Sequence, residues 1–358
     1  MSSTVASGLI AIFVGMALAV ALFIPIVVVS YRRHGRLSLA RLLGWVSTCV
    51  YAIAIWSYTL LPLPSEGYTC AGVQLNLAEA VADINKYDVS GPRAVLTNPA
   101  VMQFLFNVAL FMPLGFLLRT MFRRGVVIAT TAGLAVSLVV ELTQLTGVWG
   151  LYECAYRVFD VSDLLTNTTG AFLGSLIALA VVRRARPVGS PALGRVTAGR
   201  RFLGMLCDLL FLFLAGAVVG LLWRIGLLIG TGEPFGVPQS PVEPVLSTWL
   251  PLLIQFVVVL ATGSTIGERA VLLRPTNPRF TTPVTRVLRF LGGIGGYGIL
   301  VTEVVPLGGM WAMVFVLVSA IMIFTTRGRR GLSAVIARTD IEDARAAPNT
   351  VSGERVAG

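Results

Sequence analysis

The chain has 358 residues, of which 56% are hydrophobic and only 13% are charged, and its mean hydropathy is +0.83. Soluble globular domains carry about 25% charged residues, so this composition predicts a membrane protein that crosses the bilayer several times. The formal net charge is +11. Because the basic residues lie in short clusters beside apolar segments, they are read as topology signals, and nucleic acid is excluded as a partner.

Apolar segments of about 20 residues are long enough to cross the hydrocarbon core of a bilayer. Their number predicts an all-α, polytopic integral membrane bundle of about nine transmembrane helices in contact with the lipid bilayer. The predicted spans are residues 9–30, 42–62, 99–118, 125–146, 164–182, 202–224, 246–264, 288–304 and 309–326.

Arginine clusters follow every second predicted span. Short loops rich in Arg and Lys stay in the cytoplasm, so this alternation predicts an N-terminus outside and a C-terminus in the cytoplasm. The clusters are Arg32–Arg41, Arg119–Arg124, Arg183–Arg201, Arg269–Arg289 and Arg327–Arg330.

Composition also predicts the division of the chain. Residues 183–201 combine Arg with Pro, Gly and Ser, which is typical of a linker, here a cytoplasmic one. This linker separates a membrane domain of five helices at residues 1–182 from one of about four helices at residues 202–338. The polar, Ala-rich tail at residues 339–358 is predicted to be a disordered cytoplasmic segment.

Polar residues recur at helical spacing in the fourth and fifth predicted spans. Ser137, Glu141 and Gln144 are spaced i, i+4, i+7 and share one helix face. A second series, Asp160, Asp163 and Asn167, follows after Arg157, which we interpret as the counter-ion, and Asn107 in the third span is placed to hydrogen-bond across helices. The orientation puts the acidic residues at the outer leaflet. The predicted polar pocket consists of Asn107, Ser137, Glu141, Gln144, Arg157, Asp160, Asp163 and Asn167.

Ionisable residues in a membrane helix cost about 2.5–3.5 kcal/mol at its centre on insertion scales and are functional candidates by default. The alternative is that such residues only hold the helices together. Catalysis has little support, because the single histidine, His34, lies in a basic cytoplasmic loop and no His-based triad or multi-His metal site is available. No cofactor or metal is predicted, although paired carboxylates leave acid–base work or a cation site open.

Two cysteines, Cys70 and Cys154, fall in predicted outer loops. Disulfides form and persist in oxidising compartments, so a bridge between these two residues is predicted.

The polar series resembles the signature of the VanZ family. The resemblance covers about residues 40–182 and rests on Asn107 with the run 111–116 (FMPLGF), on Ser137, Glu141 and Gln144, and on Arg157, Asp160, Asp163, Asn167 and Gly170. It implies a multi-pass protein of the bacterial plasma membrane, in a family named for a member that gives low-level teicoplanin resistance and has no established mechanism.

The second half, about residues 197–341, resembles the RDD family. Arg201 and Asp208 match the first two positions of the motif after which that family is named, but Ala334 stands where a second Asp is expected. The resemblance implies a membrane region for which a part in transport has been suggested. Arg201 and Asp208 lie seven residues apart on nearly the same face, so a simple ion pair between them is the structural alternative.

Three functions remain open from the sequence. The first is a non-enzymatic envelope protein whose outer-leaflet pocket binds a lipid-linked or glycopeptide-like ligand, with a link to glycopeptide resistance. The second is a transporter, cation- or proton-coupled, that uses intramembrane acids. The third is a membrane scaffold whose Arg-rich cytoplasmic segments contact anionic lipid or a partner. Neither the ligand nor the oligomeric state follows from the sequence.

Overall fold

The computed structural model describes residues 3–65, 67–182, 196–232, 242–302 and 306–346. Most of them are helical, and the only strands among them are two pairs of short ones. Seven helices of the described residues are long and apolar enough to cross a membrane, or up to nine if each of two bent helix pairs is one span. The predicted polytopic all-α architecture is confirmed.

The helices fall into two compact units. Unit 1 is formed by residues 1–20 and 38–188, and unit 2 by residues 21–37 and 189–358. The helices of unit 1 are α1 (Ser3–Ala21), α3 (Leu39–Leu60), α4 (Leu77–Asn85), α5 (Pro92–Thr97), α6 (Pro99–Thr120), α7 (Val126–Leu145), α8 (Gly147–Gly150) and α9 (Val161–Val182). Those of unit 2 are α2 (Phe23–His34), α10 (Ala198–Thr231), α11 (Val242–Thr262), α12 (Ile266–Ala270), α13 (Thr282–Leu291), α14 (Ile294–Val301), α15 (Gly308–Thr325) and α16 (Gly331–Ile336).

The first predicted span is broken. The helix is interrupted between α1 and α2, and α2 groups with unit 2. The physical reason is packing: Val27 and Tyr31 of α2 are buried in one apolar cluster with Cys207 and Val271. The predicted first domain, residues 1–182, is therefore wrong for residues 21–37. The span predicted at 288–304 is also replaced by a bent pair, α13 and α14, at an angle of 45°.

Unit 1 is built on a close pairing of α6 with α9. A Cβ on Gly170 or Gly174 would collide with the carbonyls of Val108 and Met112, and a Cβ on Gly115 would collide with that of Ala171. Glycine is needed at these positions because the two backbones approach each other directly. This contact explains the Gly170-x3-Gly174 spacing as packing, and it fixes α9 between α6 and α7.

Two short strand pairs complete the units. In unit 1, β1 (Val73–Gln74) pairs in parallel with β2 (Phe159–Asp160). In unit 2, β3 (Leu273–Thr276) pairs antiparallel with β4 (Asp340–Asp343). The disordered tail predicted at residues 339–358 is thus wrong for residues 340–343, because Ile341 and Asp343 are buried. Residues 347–358 lie outside the described residues, as does the predicted linker up to residue 195, whereas its last residues, from Ala198, begin α10.

Candidate functional site

The polar residues of α7 and α9 face each other in a regular antiparallel register. At one level a Cβ on Gly133 would collide with the Cβ of Ala171. Four residues further along α7, the Ser137 hydroxyl accepts a hydrogen bond from Asn167 Nδ2 at 2.9 Å. Four residues beyond that lies Glu141, and four residues before Asn167 lies Asp163. Since a helix rises 1.5 Å per residue, these levels are about 6 Å apart, and Glu141 and Asp163 belong to the same level.

Among Glu141, Asp160 and Asp163, Glu141 is the most buried, with only 2% of its surface exposed. Its Oε2 accepts the backbone N–H of Asp160 at 3.1 Å. Asp160 in turn uses Oδ1 to accept the backbone N–H of Ser162 at 2.8 Å and its hydroxyl at 2.6 Å, close to the start of α9. Asp160 therefore satisfies N-terminal donors of α9, which is a structural role of the capping kind.

Asp163 joins α9 to α6. Asn107 donates from Nδ2 to Asp163 Oδ1 at 2.7 Å, and the Gln103 side chain, one turn earlier on α6, lies near the same carboxylate. The predicted cross-helix hydrogen bond of Asn107 thus exists, and its acceptor is an acid of the cluster. Gln103 was not predicted from the sequence, although its spacing of four residues from Asn107 was the available signal.

The sequence suggested Arg157 as the counter-ion of these acids, and the structure places its guanidinium against a backbone carbonyl. Its Nη2 donates to the carbonyl of Leu61 at 3.0 Å, and within the described part of the chain neither Glu141, Asp160 nor Asp163 forms an ion pair. The reason is that α3 ends at Leu60 and leaves unsatisfied carbonyls.

Two further side chains cap the same helix end. Gln144 donates to the Thr59 carbonyl at 2.7 Å and Tyr156 to the Leu60 carbonyl at 3.2 Å. Gln144, predicted to line the pocket, thus serves as a helix cap together with Arg157. Tyr156 was missed, and the signal for it was the run LLPLP at residues 60–64, which ends α3 with prolines that have no N–H.

A disulfide joins Cys70 to Cys154, which are 84 residues apart in sequence, with 5.6 Å between their Cα atoms. Beside it, the Tyr68 hydroxyl lies 3.2 Å from both the N–H and the carbonyl oxygen of Cys154. This bridge and the β1–β2 pair tie the loop after α3 to the segment that leads into α9. They hold Asp160 and Asp163 at the same end of unit 1 as the disulfide.

The resulting site has more acceptors than donors. Glu141 and Asp163 have no cationic partner within 4 Å among the described residues, and Asn167, 4% exposed, has an Oδ1 with no hydrogen-bond partner there. We call Glu141, Asp163 and Asn167 the acceptor cluster. The described residues contain no group of three or more His, Cys, Asp or Glu side chains that could hold a metal ion. Chemically, the cluster is arranged to receive hydrogen bonds or positive charge.

Unit 2 has its own buried polar network, and it differs from the expected Arg201–Asp208 pair. Arg201 donates instead to Glu268 Oε1 at 2.9 Å, and Asp208 accepts from Thr265, Gln255 and the backbone N–H of Gly267 at 2.7–2.8 Å. The short helix α12 brings Glu268 and Thr265 between them, which sequence spacing within α10 could not reveal. Ala334, at the position of the missing second acid, is fully buried in the apolar cluster of Tyr31 and Cys207.

Glu268 is the centre of this network. It also accepts from Arg289 Nη2 at 2.7 Å, and it closes a capping box with Thr265 at the start of α12. Burial alone would raise the pKa of the Glu268 carboxyl, but the charges of Arg289 and Arg201 outweigh it and lower that pKa to about 2. A cavity of about 90 Å³ lies beside the network, bounded by Arg201, Asp208, Glu268 and the break at 292–293.

A second buried ion pair anchors β4. Arg200 donates to Asp343 Oδ2 at 2.8 Å and Arg345 to the same oxygen at 2.7 Å. Burial raises the pKa of the Asp343 carboxyl, but the hydrogen bonds from Arg345 and Arg200 hold it well below its usual range. These contacts explain why residues 340–343 are ordered.

The fold and both polar networks define a polytopic membrane protein in which buried acids lie between helices. Residues 48–183 match the family model described as VanZ/LLP1, so the chain contains a VanZ-like domain. Every residue of the acceptor cluster lies within this match. No curated protein and no solved structure matches the chain. The resemblance of residues 197–341 to the RDD family stays a prediction.

Proposed function

We propose that the VanZ-like domain is a non-enzymatic, ligand-binding part of a bacterial plasma-membrane protein, and that the acceptor cluster is its binding site. The proposed ligand is lipid-linked or glycopeptide-like, with a link to glycopeptide susceptibility. The observation that carries the proposal is that Glu141 and Asp163 lie on one level between α7 and α9 without an ion pair among the described residues, one level from the unpartnered Asn167 oxygen.

The free-energy cost of burying Glu141 is the first argument for a function. A carboxylate within a membrane segment is expensive unless a cation or several donors compensate it. In unit 2 the buried Glu268 has two arginines, whereas Glu141 has one backbone N–H among the described residues. Polar residues that only hold helices together are expected to form hydrogen bonds with each other. Ser137 and Asn107 each form such a bond across helices. The incomplete compensation of Glu141 therefore favours a binding role.

Position is the second argument. The cluster lies toward the end of unit 1 that holds the Cys70–Cys154 disulfide. Disulfides belong to the oxidising side of a membrane, and the arginine clusters independently assign this end to the outside. Asp160 and Asp163 are half-buried and Glu141 is buried, so the site deepens from that end into the domain. This geometry supports a ligand that approaches from the outer leaflet.

The test compares Glu141→Gln and Asp163→Asn with Glu153→Gln, an exposed acid of the same unit. Each variant is expressed in a deletion strain, its membrane level is measured by immunoblot, and susceptibility to teicoplanin and binding of a lipid-linked peptidoglycan precursor are recorded. We expect both cluster variants to lose the wild-type phenotype and Glu153→Gln to keep it. Identical susceptibility and binding in all strains at equal membrane levels would disprove the proposal.

Transport is the second candidate, favoured by the cavity of about 90 Å³ beside Asp208. A buried carboxylate next to such a space fits an ion or proton pathway. The test is ion flux in proteoliposomes that contain the full chain, with Asp208→Asn and the exposed-site variant Asp340→Asn side by side. Flux that is unchanged by Asp208→Asn removes Asp208 from any pathway.

A further inference from the structure

The acceptor cluster also indicates which chemical group it receives. An ionised carboxylate offers about four acceptor positions and an amide oxygen two. Glu141 receives one hydrogen bond from the described residues, Asp163 receives that of Asn107, and Asn167 Oδ1 receives none. A matching ligand must therefore bring several donors to a site with two carboxyl groups.

Several kinds of ligand group can be compared with this requirement. An anionic group, such as a phosphate or carboxylate, would be repelled by the two carboxylates. A metal ion prefers more carboxylate ligands than the described residues bring together. A primary ammonium group carries one positive charge and three N–H donors, which matches the number of acceptor side chains in the cluster. A quaternary ammonium carries the charge but no donor.

We propose that the acceptor cluster of Glu141, Asp163 and Asn167 binds a primary ammonium group of the ligand. This inference rests on the proposed ligand-binding function and names the chemistry of the group that is recognised. Asp163, half-buried, and Glu141, buried on the same level, together compensate the charge of the ammonium. Asn167 lies one level deeper and supplies the third acceptor from an oxygen that is otherwise unpartnered.

The same ammonium group occurs in two sources, an aminolipid headgroup and the free amino terminus of a peptide-like molecule. The test uses the full chain in nanodiscs of phosphatidylcholine, whose quaternary headgroup lacks N–H donors. Three probes are titrated: a short-chain phosphatidylethanolamine, its N-acetylated derivative, and the soluble dipeptide alanyl-alanine amide. Native mass spectrometry or thermophoresis reads the affinity, and unfolding temperature confirms that each variant is folded.

We expect phosphatidylethanolamine or the dipeptide to bind at least about tenfold more tightly than the N-acetylated lipid. A charge-assisted hydrogen bond contributes about 1.5–3 kcal/mol, which corresponds to a loss of about tenfold or more on Glu141→Gln or Asp163→Asn. Glu153→Gln is the matched control and keeps wild-type affinity. Binding of the lipid alone assigns the site to a headgroup, and binding of the dipeptide assigns it to a free amino terminus.

Two results would overturn the inference. One is equal binding of the amine and its N-acetylated form, and the other is wild-type affinity in both Glu141→Gln and Asp163→Asn. The two proposals fail separately. If the N-acetylated lipid binds as well as the amine but still depends on Glu141, the ammonium assignment is wrong and the ligand-binding function stands.

Discussion

The buried ion-pair network of unit 2 allows a stability prediction with a built-in comparison. Glu268→Gln keeps the shape of the side chain but removes the charge that compensates Arg201 and Arg289. The side chains of these arginines are only 7% and 1% exposed, so they would be left as unpaired buried charges. Removing one partner of a buried ion pair costs about 3–5 kcal/mol.

The pKa of Glu268 gives a second measure of the same interaction. It is lowered from 4.5 to about 2, and each unit corresponds to about 1.4 kcal/mol, which gives about 3 kcal/mol for the ionised state. Because the pKa is lowered in the folded state, this stabilisation is present above about pH 4.5 and is lost as the pH falls towards 2. The difference between wild type and Glu268→Gln should therefore shrink below pH 4.5.

The assay is thermal unfolding of the purified chain in detergent, followed by tryptophan fluorescence between pH 3 and pH 8. A loss of about 3 kcal/mol lowers the unfolding temperature of unit 2 by on the order of 10 °C. The matched control is Asp340→Asn, whose partner Arg330 lies 3.5 Å away in a half-exposed ion pair expected to contribute at most about 1 kcal/mol. Equal shifts for both variants, or a shift that does not depend on pH, would refute the reasoning.

Three further outcomes follow from unit 1. Gly174→Leu should abolish accumulation of the protein in the membrane, because the new leucine side chain would collide with the Met112 backbone. The control Gly125→Ala has no heavy atom within 4 Å of the added Cβ and should accumulate normally, as measured by immunoblot. Cys154→Ser should lower the stability of unit 1 by about 2–5 kcal/mol, measured by thermal unfolding without reductant; unchanged unfolding would argue against a structural bridge. Asn107→Leu should lower the stability of unit 1 by about 1–3 kcal/mol, because it removes a donor from Asp163. An unchanged unfolding temperature would show that this bond contributes little.

The sequence predicted the membrane helices well, because hydrophobic length alone decides which segments can cross a bilayer. It also predicted that Ser137 and Glu141 share one face of α7 and that Asp163 and Asn167 share one face of α9, because each pair is four residues apart. Packing between distant segments was not predictable. Periodicity shows which face of α2 is apolar, but it does not show that this face packs with Cys207 and Val271.

The hydrogen-bond and ion-pair partners of the buried polar side chains were the least predictable part of the structure. Charge alone suggested that Arg157 would pair with the acids, but the carbonyls at the end of α3 take its donor instead. Likewise, Arg201 and Asp208 share a helix face, yet the short helix α12 supplies a different partner to each. In both cases an unsatisfied backbone group or an irregular segment decided the outcome, and neither leaves a periodic signal in the sequence.

The most direct measurement of the central claim is the amount of ligand that remains bound to the purified full chain. Lipid-linked and peptide-like molecules retained after mild extraction are identified by native mass spectrometry for wild type, for the double variant Glu141→Gln/Asp163→Asn, and for Glu153→Gln. We predict a bound species in wild type and in Glu153→Gln that is absent from the double variant. The same species at equal occupancy in all three proteins would contradict the assignment of the acceptor cluster as the binding site.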